Sequence, residues 1–368
     1  MSTLPFGVVL LISLITSALV AFIATPLVKK MAYRVGAIDI PKDNRRMHKT
    51  PIPRLGGLAI ALGFLLTVLL YVDIDRQLRG ILLGAVIIVV LGVLDDCLTL
   101  RAPVKFIVQI LAACIVVGHG CTIRFITNPA LSSDALYLDL GNWSIPLTII
   151  WIVAITNAVN FIDGLDGLAA GVSAISAASL LVIALLVSES GIALMVAALL
   201  GACLGFLPYN FNPAKIFMGD TGSTFLGFIL ACISIQGMFK LYAVISFAVP
   251  FLILGIPIFD ICFAIIRRLA KRQNPMKADR GHIHHRLIDM GFSQKQAVAI
   301  TYMLAGMLGL AAVLLTSSGE GKALLLIGAI IVVGALGLGF IFHHNTHKEH
   351  QVLDHEQSHA DNTDEVDV

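Results

Sequence analysis

An all-α protein that crosses a membrane many times is the fold class this sequence predicts, on three observations. Charged residues make up only 13% of the 368 and hydrophobic ones 58%, with a mean hydropathy of +0.91. A soluble domain carries about a quarter charged residues, so this chain lacks the polar groups to coat a surface facing water. The apolar residues also come in long runs, each near the roughly 20 residues that a spanning helix needs. Finally, the charges sit between the runs, and none has a formal charge in its middle third. Helices follow because each satisfies its own backbone hydrogen bonds in hydrocarbon.

About eleven spans are expected (ten on a stricter count), near 5–27, 55–72, 79–95, 104–120, 145–161, 167–188, 191–208, 223–238, 241–265, 297–316 and 323–342. The first has no basic residue before it and no clear small-residue cleavage site, so it reads as a retained span, not a signal peptide. Lys and Arg number 20 in the odd-numbered loops and the tail, against five in the even-numbered loops. That bias puts loops 28–54, 95–105, 162–166, 209–222 and 266–296 in the cytoplasm and the N-terminus outside. A transmembrane domain over 1–343 is then followed by a cytoplasmic tail, 344–368, that is polar, acidic near its end and expected to be disordered. Six of the eleven histidines lie at 343–359, which reads as part of a solvated tail ahead of a metal-binding one. The outer segment 120–145 alternates apolar and polar residues and predicts a small hairpin. Six cysteines without CxxC spacing read as small buried hydrophobes.

Residues able to do chemistry gather at one membrane face. Asp95-Asp96 closes the third span, and Lys105 opens the fourth. Asn157-Ala-Val-Asn160-Phe-Ile-Asp163-Gly-Leu-Asp166-Gly ends the fifth, and Phe217-Met-Gly-Asp220-Thr-Gly-Ser leads into the eighth. Asp260 ends the ninth, and the following loop holds Arg280-Gly-His282-Ile-His284-His285-Arg. Scattered solvating charge does not predict that convergence, whereas an active site does. The adjacent acids read either as hydrated interfacial groups or as a hard-cation site with one acid free to accept a proton. Lys105 either snorkels or holds a phosphate. The Gly219–Ser223 turn offers backbone N–H groups as a phosphate cradle but lacks the Gly-Lys-Ser/Thr ending of a P-loop. Phe217 is an interfacial aromatic or a stacking platform for a base. The histidines, without a cysteine and flanked by arginines, favour contact with phosphate or sugar over zinc. Ser293-x-x-Gln296 has the form of a capping box. Arg45, Arg46, His48, Lys49 and Arg54 read equally as positive-inside charge or as part of the site.

Taken together, in order and with matching spacing over roughly 40–300, these segments resemble the polyprenyl-phosphate N-acetylhexosamine-1-phosphate transferase family. The resemblance rests on Arg54-Leu-Gly-Gly, Asp95-Asp96 with Lys105, the Asn157–Gly167 run, Phe217-Met-Gly-Asp220-x-Gly-Ser and His282-x-His-His. It implies Mg²⁺, with Mn²⁺ as a substitute, held by Asp220 and Asn160. It also implies catalytic roles for Asp95 (deprotonating a lipid phosphate), Asp96 (supporting the metal) and Asp163 (essential, without a settled role). Substrate contacts fall to Lys105 (phosphate), Asp166 and Phe217 (uracil), and Arg280 and His282 (diphosphate and sugar), with His284 and His285 in the same loop.

The implied reaction attacks the sugar-bearing β-phosphorus of a UDP-sugar with an oxygen of undecaprenyl phosphate and releases UMP. Two anions must meet, so cationic groups have to neutralise them. Ile283 interrupts the three consecutive histidines usual in the branch that uses UDP-N-acetylmuramoyl-pentapeptide. The expected donor is therefore UDP-N-acetylglucosamine, with the product entering a cell-surface polysaccharide or teichoic acid pathway in a bacterial cytoplasmic membrane. Lipid bilayer is the expected partner, with a homodimer admitted and no nucleic acid. A secondary transporter is the reading from another class, but transporters place their binding groups near the midplane, where these spans carry no charge.

Overall fold

The computed structural model describes residues 4–41, 50–127, 137–238, 248–270, 282–317 and 328. Helices stand where each of the first ten spans is expected: α1 Phe6–Val35, α2 Gly57–Tyr71, α3 Arg76–Leu98, α4 Ala102–Gly118, α5 Ser144–Phe161, α6 Leu168–Leu186, α7 Ser190–Asn210, α8 Gly219–Met238, α9 Ala248–Ile253 with α10 Gly255–Ala270, and α12 Gln294–Ser317. The short α11, Ile283–Asp289, is an element the sequence did not announce. Besides a 3₁₀ turn at Gly141–Trp143, there are two small antiparallel pairs: β1 Ile38–Asp39 with β2 Ile52–Pro53, and β3 Phe125–Thr127 with β4 Tyr137–Asp139. The second pair is the expected hairpin. Apart from residue 328, the eleventh span lies outside the described residues, as do the tail, Arg45, Arg46, His48, Lys49 and Arg280.

Among the described residues, six helical stretches are long and apolar enough to cross a membrane: α1, α3, Gly141–Phe161, α6, α7 and α12. With α2 and α4 as shorter apolar helices, this is a multi-pass membrane protein. Thirty residues make α1 about 45 Å long, so its last turns, with Lys29, Lys30 and Arg34, outrun the hydrocarbon. It stops where Gly36 takes a left-handed φ of 74°.

The expected ninth span is two helices. Pro257 has no N–H to give the carbonyl of Ile253, and the turn at Leu254 falls there. The Ser176 hydroxyl of α6 donates to that orphaned carbonyl at 2.9 Å, so the break is satisfied and not merely tolerated.

Helix packing follows the membrane rule that small residues let backbones approach. The buried stripe of α1 is Ser13, Ser17, Ala21, Thr25, Val28 and Ala32, nearly all small. Across from it, a Cβ at Gly205 of α7 would lie 2.1 Å from the carbonyl oxygen of Ala18. Ser17 also donates to the carbonyl of Ala198 at 2.6 Å. At the centre stands α8, enclosed by α2, α3, α5, α6 and α7. Its Phe225, Phe228, Ile229 and Ile233 are fully buried. Its N-terminal turn is gripped most tightly: a Cβ at Gly57 would fall 2.0 Å from the backbone nitrogen of Gly222, and one at Gly92 would fall 2.3 Å from the Cα of Thr221.

Backbone cannot give way as a flexible side chain can. Gly57→Ala is therefore expected to cost about 1–3 kcal/mol by overpacking and to displace the N-terminus of α8. A thermal melt in detergent that matches the parent protein would show that this contact is looser than described.

Candidate active site

Two inter-helix carboxylates organise the site. At the C-terminus of α3 the chain delivers Asp95 and Asp96, both buried. Asp96 Oδ1 accepts the N–H of Asp220 at 3.0 Å, while Oδ2 accepts the N–H of Thr221 at 3.0 Å and its hydroxyl at 2.6 Å. This acid caps α8 from another helix, where N–H groups lack intrahelical partners and the dipole favours negative charge. Gly219 makes the approach possible: it has φ +72°, and a Cβ there would sit 2.5 Å from Asp96 Oδ2. The cradle expected from the Gly219–Ser223 turn is thereby corrected in part, because two of its N–H groups are already spent on Asp96.

Asp95 is turned the other way. Its Oδ1 accepts the N–H of Leu100 at 2.7 Å, and its Oδ2 accepts from Lys105 Nζ at 2.9 Å. The same ammonium donates to Asp220 Oδ2 at 2.8 Å. The adjacent acids therefore escape mutual repulsion, one facing a lysine and the other a helix N-terminus. Arg54 seals the same corner by donating from Nε and Nη2 to the carbonyl of Asp96 at 3.3 and 3.1 Å. Its backbone bridges to Phe217, and Gly56 N–H donates to the Phe217 carbonyl at 2.9 Å. The Arg54-Leu-Gly-Gly and Phe217-Met-Gly-Asp220 motifs are thus neighbours in space.

From α5, Asn160 donates to Ser223 Oγ at 2.7 Å and lies against the Asp220 carboxylate. One turn earlier Asn157 donates to Gln109 Oε1 at 2.6 Å, tying α5 to α4 four residues beyond Lys105. After α5 the chain turns through Asp163 and Asp166. Asp166 Oδ2 accepts from Asn212 Nδ2 at 2.9 Å and from the N–H of Ala214 at 3.0 Å, so one of its oxygens is already committed. Asn210 is buried and holds the same corner, accepting from Gly167 N–H at 3.1 Å and donating to the carbonyl of Ile216 at 3.0 Å.

These elements enclose a cleft of about 550 Å³ at one end of the bundle, within the usual size of a small-molecule site. Asp96, Asp163, Asp166, Phe217, Asp220 and His285 line it, joined by Arg54, Asn212 and Gln294. Asp95, Lys105 and Asn160 adjoin it through their bonds to Asp220 and its helix. His282 and His284 belong to a neighbouring stack: His282 lies 5.8 Å from Phe161 and from His284, ring to ring. His284 is 3% exposed, and a Cβ at Gly164 would meet its Nε2 at 2.2 Å. Burial depresses its pKa to about 3, so its ring stays neutral at physiological pH. Such a ring is packing that shapes the cleft wall. The expected capping box is present, with Ser293 N–H donating to Gln296 Oε1 at 2.9 Å.

Negative charge is in excess here. Burial, with the neighbouring charges of Asp220, Asp96 and Asp166, pushes Asp163 up to about 8. A divalent cation would relieve that. The oxygen donors within reach are Asp220, Asn160 and Asp163, a hard set that fits Mg²⁺. Among the described residues no three of His, Cys, Asp and Glu form a cage for an ion. A cation held here would need water or substrate oxygens to complete its shell.

The glycosyl transferase family 4 model matches residues 78–238, which include Asp95, Asp96, Asp163, Asp166 and Asp220. A Bacillus subtilis (strain 168) protein named "Probable undecaprenyl-phosphate N-acetylglucosaminyl 1-phosphate transferase" is 42% identical over 88% of this chain and 89% of its own length. The chain belongs to glycosyl transferase family 4. Among its other relatives, the "Decaprenyl-phosphate N-acetylglucosaminephosphotransferase" of Mycobacterium tuberculosis (strain ATCC 25618 / H37Rv) is 35% identical over 88% of this chain and 87% of its own. The "Undecaprenyl-phosphate alpha-N-acetylglucosaminyl 1-phosphate transferase" of Escherichia coli (strain K12) is 28% identical over 76% and 77%.

Removing the cap should be felt as structure. Asp96→Ala is expected to cost about 1–2 kcal/mol, as loss of a helix cap does, and to lower activity and melting temperature together. Activity lost with an unchanged melt would mean that Asp96 acts on substrate and not through α8.

Proposed function

We propose that this family 4 member transfers N-acetylglucosamine 1-phosphate from UDP-N-acetylglucosamine to undecaprenyl phosphate and releases UMP. The observation that carries the reading is Lys105, held between Asp95 and Asp220 beside an acid-lined cleft at the end of a membrane-embedded bundle. Such a place suits a reaction whose acceptor keeps its tail in lipid while its donor arrives from water. The names of the relatives, all acting on a polyprenyl phosphate and N-acetylglucosamine, support the same substrates. With eleven spans and the N-terminus outside, the cleft opens to the cytoplasm of a bacterial cell.

The residues divide the work as follows. Asp166 presents its uncommitted oxygen to the uracil N3–H, and Phe217 stacks on the ring. Lys105 exchanges one carboxylate partner for a phosphate oxygen. That exchange frees Asp95 Oδ2 to take a proton from the lipid phosphate, so the base becomes available only once the substrate has drawn the lysine away. An oxygen of the lipid phosphate then bonds to the β-phosphorus, and the β-phosphorus–oxygen bond to UMP breaks. Asp220, with Asn160 and Asp163, would hold Mg²⁺, which when bound neutralises the diphosphate charge. One diphosphate linkage replaces another, so the reaction is close to balanced.

Purified protein, undecaprenyl phosphate, Mg²⁺ and a panel of UDP-sugars test this reading. Lipid product and UMP are expected with UDP-N-acetylglucosamine and little of either with UDP-N-acetylmuramoyl-pentapeptide. Preference for the muramoyl donor would move the chain to the other branch. Asp220→Asn keeps size and one oxygen but loses the charge, and should reduce turnover at least ~100-fold, about 2.7 kcal/mol, without lowering the melt. Near-normal turnover at limiting Mg²⁺ would remove Asp220 from the metal site. Because Asp163 titrates near 8, Mg²⁺ has to displace its proton. Affinity should therefore rise between about pH 6 and 8, with proton release seen by calorimetry in different buffers. Asp163→Asn should flatten that slope; an unchanged slope would take Asp163 out of the cation's reach.

A further inference from the structure

Asp260 makes a further inter-helix carboxylate contact, outside the lining of the cleft. It lies in α10 and is 2% exposed. Its Oδ1 accepts the N–H of Ile283 at 2.7 Å, and its Oδ2 lies 2.7 Å from His282 Nδ1. Ile283 opens α11, whose N-cap is His282 with no capping bond from its own side chain. One buried acid therefore serves the free end of a seven-residue helix and the ring that precedes it. Arg286, from the same helix, packs over the Phe263 ring of α10 at 4.7 Å, a second tie between the two helices.

We propose that Asp260 is a positioning residue for the transfer reaction, acting through His282. A carboxylate only accepts, so Nδ1 carries a hydrogen, and a ring with no second hydrogen keeps its lone pair on Nε2. Such a nitrogen accepts from a hydroxyl or an amide N–H and is ill matched to a phosphate oxygen. Resting on the proposed function, this assigns His282 to the hydroxyls or acetamido group of the donor sugar, not to its diphosphate. The groups around the ring agree with a fixed orientation: Phe161 from α5 on one side, His284 from α11 on another, and Asp260 from α10 on its Nδ1 edge. The side chain is 11% exposed, so only a small part of it remains for a ligand. By docking α11, the same acid also sets His285 in the cleft wall.

Asp260→Asn separates the two duties. Asparagine oxygen still accepts the Ile283 N–H, while its NH₂ donates to Nδ1 and drives the proton to Nε2. The full-length variant, in detergent, should melt close to the parent. Its kcat should fall at least ~10-fold while KM for UDP-N-acetylglucosamine stays within about threefold, as for an interaction strengthened in the transition state. ¹⁵N-histidine NMR without substrate should show one ring with its hydrogen on Nδ1 in the parent and on Nε2 in the variant. In a His282→Ala background the same change should alter kcat by less than about twofold, because the two residues act as one unit. Full additivity of the two changes would overturn the proposal, as would an unchanged ring signature, which decides even where the background is too slow to assay. If the parent does not use UDP-N-acetylglucosamine, the functional reading fails, yet the NMR result still tests the tautomer.

Discussion

The carboxylate of Asp96, seated on the first turn of α8, is the contact on which the rest of the site depends. Three hydrogen bonds join it to Asp220 and Thr221, and Gly219 leaves no side chain in the way. Everything that follows is geometry relative to that turn. Asp220 is the next side chain along, Asn160 reaches Ser223 one turn on, and Lys105 comes across from α4. A helix buried on nearly all sides opens to the cleft only at its first turn, and there an acid from a neighbour takes two of its unpaired N–H groups. Once made, the bond fixes the height of α8 against α3. The glycine contacts of Gly57 and Gly92 fix its distance.

The same device recurs at Asp260, which caps α11 from α10. In both places a carboxylate leaving one helix closes the start of another, and a reactive-looking residue stands beside the joint. Loops alone would place such residues loosely. Here the fold uses helix termini, whose unpaired N–H groups are strong and directional, as fasteners between segments far apart in sequence.

Hydropathy showed where nearly all the helices lie, because lipid permits so few alternatives. It missed the break at Leu254, since a span interrupted by Pro257 has the same composition as one that is whole. It also missed α11, seven residues without an apolar run. The candidate site was legible as a set of residues sharing one membrane face. What could not be read was partnership: Asp95 and Asp96 are adjacent in sequence, yet their carboxylates serve different helices. Arg54 and Asp260 stood in view without a role because each acts across a gap of tens of residues. His284 carried the same letters as its neighbours, and only burial shows that it is packing.

The bridge from Lys105 to Asp95 and Asp220 bears on how charged molecules come and go. A half-buried acidic cleft with no counter-ion would repel an incoming diphosphate and hold a cation too firmly to release it. With an ammonium already resident, an arriving phosphate oxygen would meet a cation in place that offsets part of its charge. On the proposed reading, departure of the nucleotide would return the lysine to its acids. The protein thus keeps a fixed cation of its own among these acids, beside any ion that comes from solution.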